Sequence, residues 1–453
     1  MSTIVAAALS GLLWLAGSGL HPVPALTWLA PLPLLLLAVP RKALTATLVA
    51  WPIGQLGLAG YFIRTLQIPL PVVIAFVLYG TALAAGTVVL AVTLLRRGRT
   101  GTAVLAAPAL WVLGEYLVTL ALPNGAWWSL AYTQADVRPV VQLTALTGVW
   151  GVSYLLVAVP IGLAALRTRP KPALACLLAL AVTAGGWATW SLTRVPDAAA
   201  ELRVGLVALE QPEDGMPLGE AAGRELLARY VARVESLAER GARIVVLPEK
   251  VFGVDSPAAL AEAFRPVTAR GVQVVAGAVQ GQRNVAFVLG GTVRTYTKQH
   301  VIKGLEDWIT PGDRDLIVDG RYGVAICKDL DFPELVRGYR ARGATMMLVP
   351  ALDFTGDGWL HSRMAVVRGV ESGTTVVRAA GFGRLTVSDP TGRVLGEATA
   401  GDADLLVTVT PSARGTVYGR TGNWFVLLSV LLLVTAVVRA AYRKPAIAAT
   451  ADR

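Results

Sequence analysis

Of the 30 acidic residues in the chain, only two, Glu115 and Asp136, lie between Met1 and Thr193. The remaining carboxylates all follow Thr193, so the first part of the chain is built to be solvated by lipid and a later part by water. Charged residues make up 16% of the whole, against roughly 25% in ordinary soluble chains. Such a division predicts membrane helices followed by a polar domain.

The hydrocarbon core of a bilayer asks for ~20 apolar residues per helix. Seven such runs precede the polar part, at about 3–20, 24–40, 43–63, 69–95, 102–122, 140–166 and 173–193, and an eighth covers 424–441. Pro22, Pro24, Pro31 and Pro33 interrupt the second run, which a bundle tolerates where neighbours satisfy the freed backbone groups. No Lys or Arg precedes the first run and further runs follow at once, so it does not read as a cleaved signal segment. Eleven basic residues flank alternate ends of the runs, at Arg41, Lys42, Arg96, Arg97, Arg99, Arg167, Arg169, Lys171, Arg439, Arg443 and Lys444; the opposite ends carry three, Arg64, Arg138 and Arg194. By the positive-inside rule both termini are expected in the cytoplasm and the polar domain outside, in a multi-pass protein of the cell membrane. That placement also accounts for the net charge of +11 without nucleic acid as a partner.

Between about 203 and 415 short Val- and Ile-rich segments alternate with helical patterns. Strands are predicted at 203–209, 243–247, 272–279, 285–289, 322–327, 345–349 and 374–379, and helices at 220–240, 257–270, 333–342 and 360–372. Such alternation predicts an α/β domain.

Three places in this domain suit chemistry. Leu247-Pro248-Glu249 puts a carboxylate just past one strand. Tyr296-Thr297-Lys298 is followed eight residues later by Glu306. Ile326-Cys327-Lys328-Asp329 puts a thiol at the end of another strand, where α/β folds gather their sites. Singly, each has an ordinary structural explanation: a lone cysteine behaves as a small core hydrophobe, and a Glu or Lys in a loop is solvated. Together they supply a nucleophile, a carboxylate able to take its proton, and a cation able to lower a thiol pKa or hold an oxyanion. The amide of Lys328, next after the cysteine, is a further oxyanion donor. Cys176 and Cys327 fall in different parts of the chain, so no disulfide is expected. His361 stands apart from any Cys or His cluster and no phosphate-binding glycine loop is present, so neither a metal nor a cofactor is expected. Glu115, inside an apolar run, reads as a helix-packing carboxylate, and Trp127 and Trp128 as an interfacial aromatic belt.

These motifs, in this order, resemble the carbon–nitrogen hydrolase, or nitrilase, superfamily. The resemblance implies an αββα sandwich in which Glu249 is the general base, Lys298 the oxyanion stabiliser and Cys327 the nucleophile, with Glu306 as the family's second glutamate. The run Trp359, His361, Met364, Arg368, Glu371 and Arg378-Ala379-Ala380-Gly381 also fits.

In the apolar part, Trp111, Glu115, Pro123, Trp127, Tyr132, Gln134, Gln142, Gly148, Gly151 and Ser153 resemble the superfamily's membrane branch, the apolipoprotein N-acyltransferases. The expected organisation is then an α-helical membrane bundle of about eight spans with an extracytoplasmic nitrilase-like α/β domain. Seven spans would occupy residues 1–195, the hydrolase-like domain 203–415, the last span 424–441 and a cytoplasmic tail 442–453. The branch implies transfer of a phospholipid acyl chain through a Cys thioester to the amine of a diacylglyceryl-cysteine on a lipoprotein. This chain departs from the branch in three places. Only 28 residues separate Lys298 from Cys327, where the family carries a longer arm. Lys328 and Asp329 replace an aromatic and a glutamate, and Lys303-Gly304-Leu305 stands where the family has Pro-Phe-Gly. A membrane-tethered amidase with the same Glu–Lys–Cys set is the alternative.

Overall fold

In the computed structural model, residues 1–194, 200–399, 401–411 and 415–442 are described. The expected tail beyond Tyr442, with Arg443 and Lys444, lies outside the described residues.

Each of the eight apolar runs carries helix: Thr3–Gly17, Pro24–Leu29 with Leu32–Leu35, Pro40–Gly54 with Leu56–Arg64, Leu70–Arg96, Thr100–Leu105 with Pro108–Ala121, Val149–Ala165, Pro170–Thr193 and Trp424–Ala441. Among the described residues, four stretches are long and apolar enough to cross a membrane: Leu70–Arg96, Thr100–Ala121, Pro170–Thr193 and Trp424–Ala441. A fifth is the pair Pro40–Gly54 and Leu56–Arg64, if its 42° bend belongs to one span. The others are shorter. Pro31 and Pro33 break the second run into two short helices, because proline cannot complete the backbone ladder. The run expected from 140 forms a regular helix only from Val149, since Gly148 has φ +68° and two short turns precede it. Trp14, Trp51 and Trp111 pack at the centre of the bundle, their ring centroids 5.1 Å apart for Trp14–Trp51 and for Trp51–Trp111.

The polar part folds as two facing sheets. The first orders the strands Ala403–Val409, Leu202–Ala208, Ile244–Val246 and Gln273–Gln280, with Arg283–Leu289 and Arg294–Thr297 continuing from the last as antiparallel partners. The second orders Val394–Thr399, Arg384–Ser388, Thr375–Ala380, Met346–Ala351, Tyr322–Val324 and Leu316–Val318. Val204, Leu206, Val246, Val275 and Val288 from one sheet share an apolar core with Val324, Ile326, Leu348, Val377 and Leu385 from the other. Ala221–Glu239 covers the outer face of the first sheet through Leu226, Tyr230, Val234 and Leu237. Pro333–Ala341 covers the second through Leu335, Val336 and Tyr339. The result is an αββα sandwich of nitrilase type. The predicted strand 322–327 is shorter than expected: it stops at Val324, and Cys327 opens a single 3₁₀ turn, Cys327–Asp331.

The helix Gly358–Ser372 joins the two parts. Thirteen of its 15 residues are buried, because one face packs on the second sheet and the other, with Leu360, Met364, Val367 and Val370, packs into the core of the bundle. Arg368 hydrogen-bonds Tyr132 of the bundle. The Glu371 carboxylate accepts the backbone N–H of Val149, the first residue of a bundle helix, at 2.8 Å.

Candidate active site

The two sheets bring Glu249, Lys298 and Cys327 together from three separate strand ends. Glu249 follows Ile244–Val246, and its backbone N–H donates across to Ala351 O of the second sheet at 3.0 Å. That crossing requires Gly277 on the neighbouring strand, where any Cβ would run into Pro248 O. Lys298 follows Arg294–Thr297, and its N–H donates to Asn284 O at 2.9 Å.

The Lys298 ammonium is fully buried and donates to Glu249 Oε1 at 2.8 Å, to Glu306 Oε2 at 2.7 Å and to Glu306 Oε1 at 2.9 Å. Asn284 Nδ2 adds a bond to Glu249 Oε1 at 2.6 Å. Burial opposes charge on Glu249 and Lys298, but attraction prevails: Lys298 holds Glu249 below the usual carboxylate range, and the two glutamates hold Lys298 above the usual amine range. Glu306 is fixed in turn by the Ile302 N–H, which donates to its Oε2 at 2.9 Å.

Cys327 faces this cluster from the second sheet. Its backbone has φ +43°, a left-handed conformation that a residue with a Cβ rarely adopts. Burial and the Glu249 carboxylate push its thiol well above the ordinary range, so the resting group is the neutral thiol. Its sulfur lies 4.0 Å from Asp353 Oδ1, and Asp353 is neutralised by Arg378, whose Nη1 donates to Oδ2 at 2.7 Å. The arrangement is chemically a thiol opposed to a carboxylate that can take its proton and an ammonium that can face a developing oxyanion.

Two residues singled out in the sequence do not join this cluster. Lys328 points away, its ammonium donating to Asn124 Oδ1 of the bundle at 3.0 Å and lying 3.5 Å from Asp331. Asp329 is buried and accepts from Tyr296 Oη at 2.8 Å, from the N–H groups of Ile326 at 2.9 Å, Gln299 at 3.2 Å and His300 at 2.9 Å. It therefore ties the cysteine turn to the lysine strand. Glu115 accepts from Trp111 Nε1 at 2.9 Å and Leu130 N–H at 2.8 Å, the packing role expected of it. Trp127 and Trp128 pack on Phe62 and Phe76, with centroids 5.5 and 4.0 Å apart.

The model of the apolipoprotein N-acyltransferase N-terminal domain matches residues 10–162, and the carbon-nitrogen hydrolase model matches residues 203–416. The chain carries the apolipoprotein N-acyltransferase N-terminal domain followed by a carbon-nitrogen hydrolase domain. It is therefore an acyltransferase enzyme built on a carbon-nitrogen hydrolase fold. It is 28% identical over 393 residues to the apolipoprotein N-acyltransferase of Gloeobacter violaceus, covering 76% of this chain and 73% of that protein. It is 26% identical over 365 residues to that of Geobacter metallireducens, covering 67% and 68%. Among solved structures, an amidase of the nitrilase superfamily from Nesterenkonia aligns with a TM-score of 0.42 at 23% identity, over 52% of this chain and all 100% of that one.

Sequence reasoning missed Lys250, Asn284, Asp353 and Asp357, the partner of His361. Asp357 accepts from Tyr61 of the bundle and lies 3.2 Å from His361 Nε2. Burial opposes charge on His361, yet Asp357 raises it to about 9. Only Asn284, buried at the head of the apolar run Val285–Leu289, carried a local signal, as a polar group that must find a partner.

Proposed function

We propose that this chain transfers an acyl chain from a membrane phospholipid, through a thioester on Cys327, to the N-terminal amine of a diacylglyceryl-cysteine lipoprotein. One observation carries the reading. The loop from Asp353 to Asp357 touches the thiol at one end and hydrogen-bonds Tyr61 of a bundle helix at the other. The nucleophile thus stands where the apolar bundle meets the α/β domain, a place suited to an ester carried by lipid.

Glu249 accepts the proton as the Cys327 sulfur bonds to the ester carbonyl carbon. The Lys298 ammonium and the Lys328 amide face the oxyanion. Collapse of the tetrahedral intermediate breaks the ester C–O bond, and the proton passes from Glu249 to the departing lysophospholipid oxygen. The acceptor enters as a neutral amine and attacks the thioester; Glu249 takes its proton and returns it to the cysteine sulfur. Glu306 holds Lys298 in place throughout.

The topology proposed with this chemistry has eight membrane segments, both termini cytoplasmic and the α/β domain outside. Its support is the basic cluster at the far end of the last helix. Arg99 Nη2 donates to Tyr442 O at 3.0 Å there, while Trp424 at the near end donates to Leu146 O beside the α/β domain. The 18 residues of Trp424–Ala441 separate the two ends by about 27 Å at 1.5 Å per residue.

The 28-residue segment between Lys298 and Cys327 favours a second reading, a tethered amidase in which water resolves the acyl-enzyme. Intact mass of the enzyme in nanodiscs, after incubation with phospholipid, tests both. A long-lived adduct on Cys327, discharged by a diacylated lipopeptide with a free N-terminal amine but not by its N-acetylated form, is the transferase result. Free fatty acid released regardless of lipopeptide, or ammonia from a small amide with no adduct, would sink it.

A further inference from the structure

Lys250 follows Glu249 directly and is the second ammonium of the site. It is 8% exposed and has φ +52°, so it shares with Cys327 and Asp353 a left-handed backbone beside the reacting groups. Its Nζ lies 3.9 Å from Glu306 Oε1 on the inner side and 3.5 Å from Asp214 Oδ1 on the outer side. Asp214 is largely exposed, whereas Glu306 is buried with Lys298 and Glu249.

The charges explain why a second cation sits here. Glu249 and Glu306 are two buried carboxylates held by one hydrogen-bonded ammonium, Lys298. Those three groups alone leave one uncompensated negative charge in the interior, which is unfavourable unless a further cation or a proton neutralises it. Asn284, the other group on Glu249, is neutral. Asp353 and Arg378, beyond the thiol, already cancel each other. Lys250 is the ammonium near enough to Glu306 to close the balance, and its charge acts on Glu249 in the stabilising direction. We infer that Lys250 is a positioning residue that completes a neutral quartet with Glu249, Lys298 and Glu306, keeping Glu249 an ionised base at neutral pH. It touches no reacting atom; it acts through the two glutamates.

The inference rests on Glu249 serving as base to Cys327, and its test needs no phospholipid. In the full chain with Cys176→Ala, one thiol remains, and iodoacetamide modification of Cys327 is followed by intact mass from about pH 5 to about pH 9. Lys250→Met should move the acid limb of the alkylation rate up by about one to two pH units, the effect of removing an opposite charge at this range. Lys250→Arg should keep the parent limb. The double variant Lys250→Met/Glu306→Gln restores the charge count and should bring the limb back down. Asp214→Asn, at a largely exposed position, should free Lys250 toward Glu306 and lower the limb. A uniformly slower rate with an unmoved limb in Lys250→Met, or no movement in Asp214→Asn should Lys250→Met not fold, overturns the proposal. Should the limb move as expected while phospholipid leaves no adduct on the parent, the acyl-transfer reading falls and the role of Lys250 stands.

Discussion

Glu371 of the α/β domain caps a helix of the membrane bundle, accepting the first backbone N–H of Val149–Ala165 at 2.8 Å. The same carboxylate pairs with Arg368, and both side chains are wholly buried. A helix N-terminus leaves unpaired N–H groups and a partial positive charge, and here another domain supplies the anion.

Glu371→Ala should therefore separate the two parts more than any surface change. It strands the buried Arg368 guanidinium, a loss of about 3–5 kcal/mol. A lower melting temperature in detergent and new protease cuts near residue 148 are the expected signs. An unchanged melt would mean that the contact holds nothing together.

The proposed roles of the cluster predict a graded series. Cys327→Ala should carry no acyl adduct, while Cys176→Ala should carry it normally. Glu249→Gln should block acylation. Lys298→Met should slow it by roughly 10²–10³, the cost of one oxyanion donor. Near-normal acylation of Lys298→Met, read by intact mass, would contradict the assignment.

Asp329 and Lys328 should behave differently although they are neighbours. Asp329→Ala leaves the buried Ile326 N–H and Tyr296 hydroxyl without their acceptor, at about 1–3 kcal/mol each, and frees the half-buried N–H groups of Gln299 and His300. It should destabilise the fold and slow alkylation of Cys327. Lys328→Met loses only the Asn124 and Asp331 contacts at the domain junction and should keep most of its thiol reactivity.

His361 gives a stability signature in pH. Its imidazolium is held to about 9 in the fold by Asp357, against an ordinary histidine in the unfolded chain. The stabilisation is fully present below about pH 6.5, and falls away as pH rises toward 9, to a total of roughly 3 kcal/mol. His361→Gln should flatten that part of the melting-temperature profile. A wild-type profile that is flat over this range would exclude the Asp357–His361 pair as a stabilising contact.

Topology is open to direct measurement. A reporter fused after Lys444 should be active only in the cytoplasm, and one inserted near Asp214 only outside. The reverse pattern would overturn the proposed orientation.

What the sequence alone determined is what one-dimensional chemistry can encode. The near absence of carboxylates before Thr193 marks the lipid-solvated part, and period and composition mark the α/β part. The short motifs around Glu249, Lys298, Glu306 and Cys327 name the cluster because a thiol, a base and a cation are residue types readable in order. The strands Arg384–Ser388, Val394–Thr399 and Ala403–Val409 escaped that reading because polar residues dilute the apolar signal in each, and the last two lie at sheet edges. The tertiary structure decided which neighbours do chemistry. Lys328 and Lys250 each follow a key residue, yet the left-handed turn at Cys327 sends one side chain to the bundle, while the left-handed turn at Lys250 itself sends the other to the buried carboxylates. Asp353, Arg378 and Tyr61 reach the site from the second sheet and a bundle helix, so their relation to the thiol exists only once the chain has closed on itself. Charge balance in a low-dielectric interior depends on distances through space, and no spacing along the chain records them.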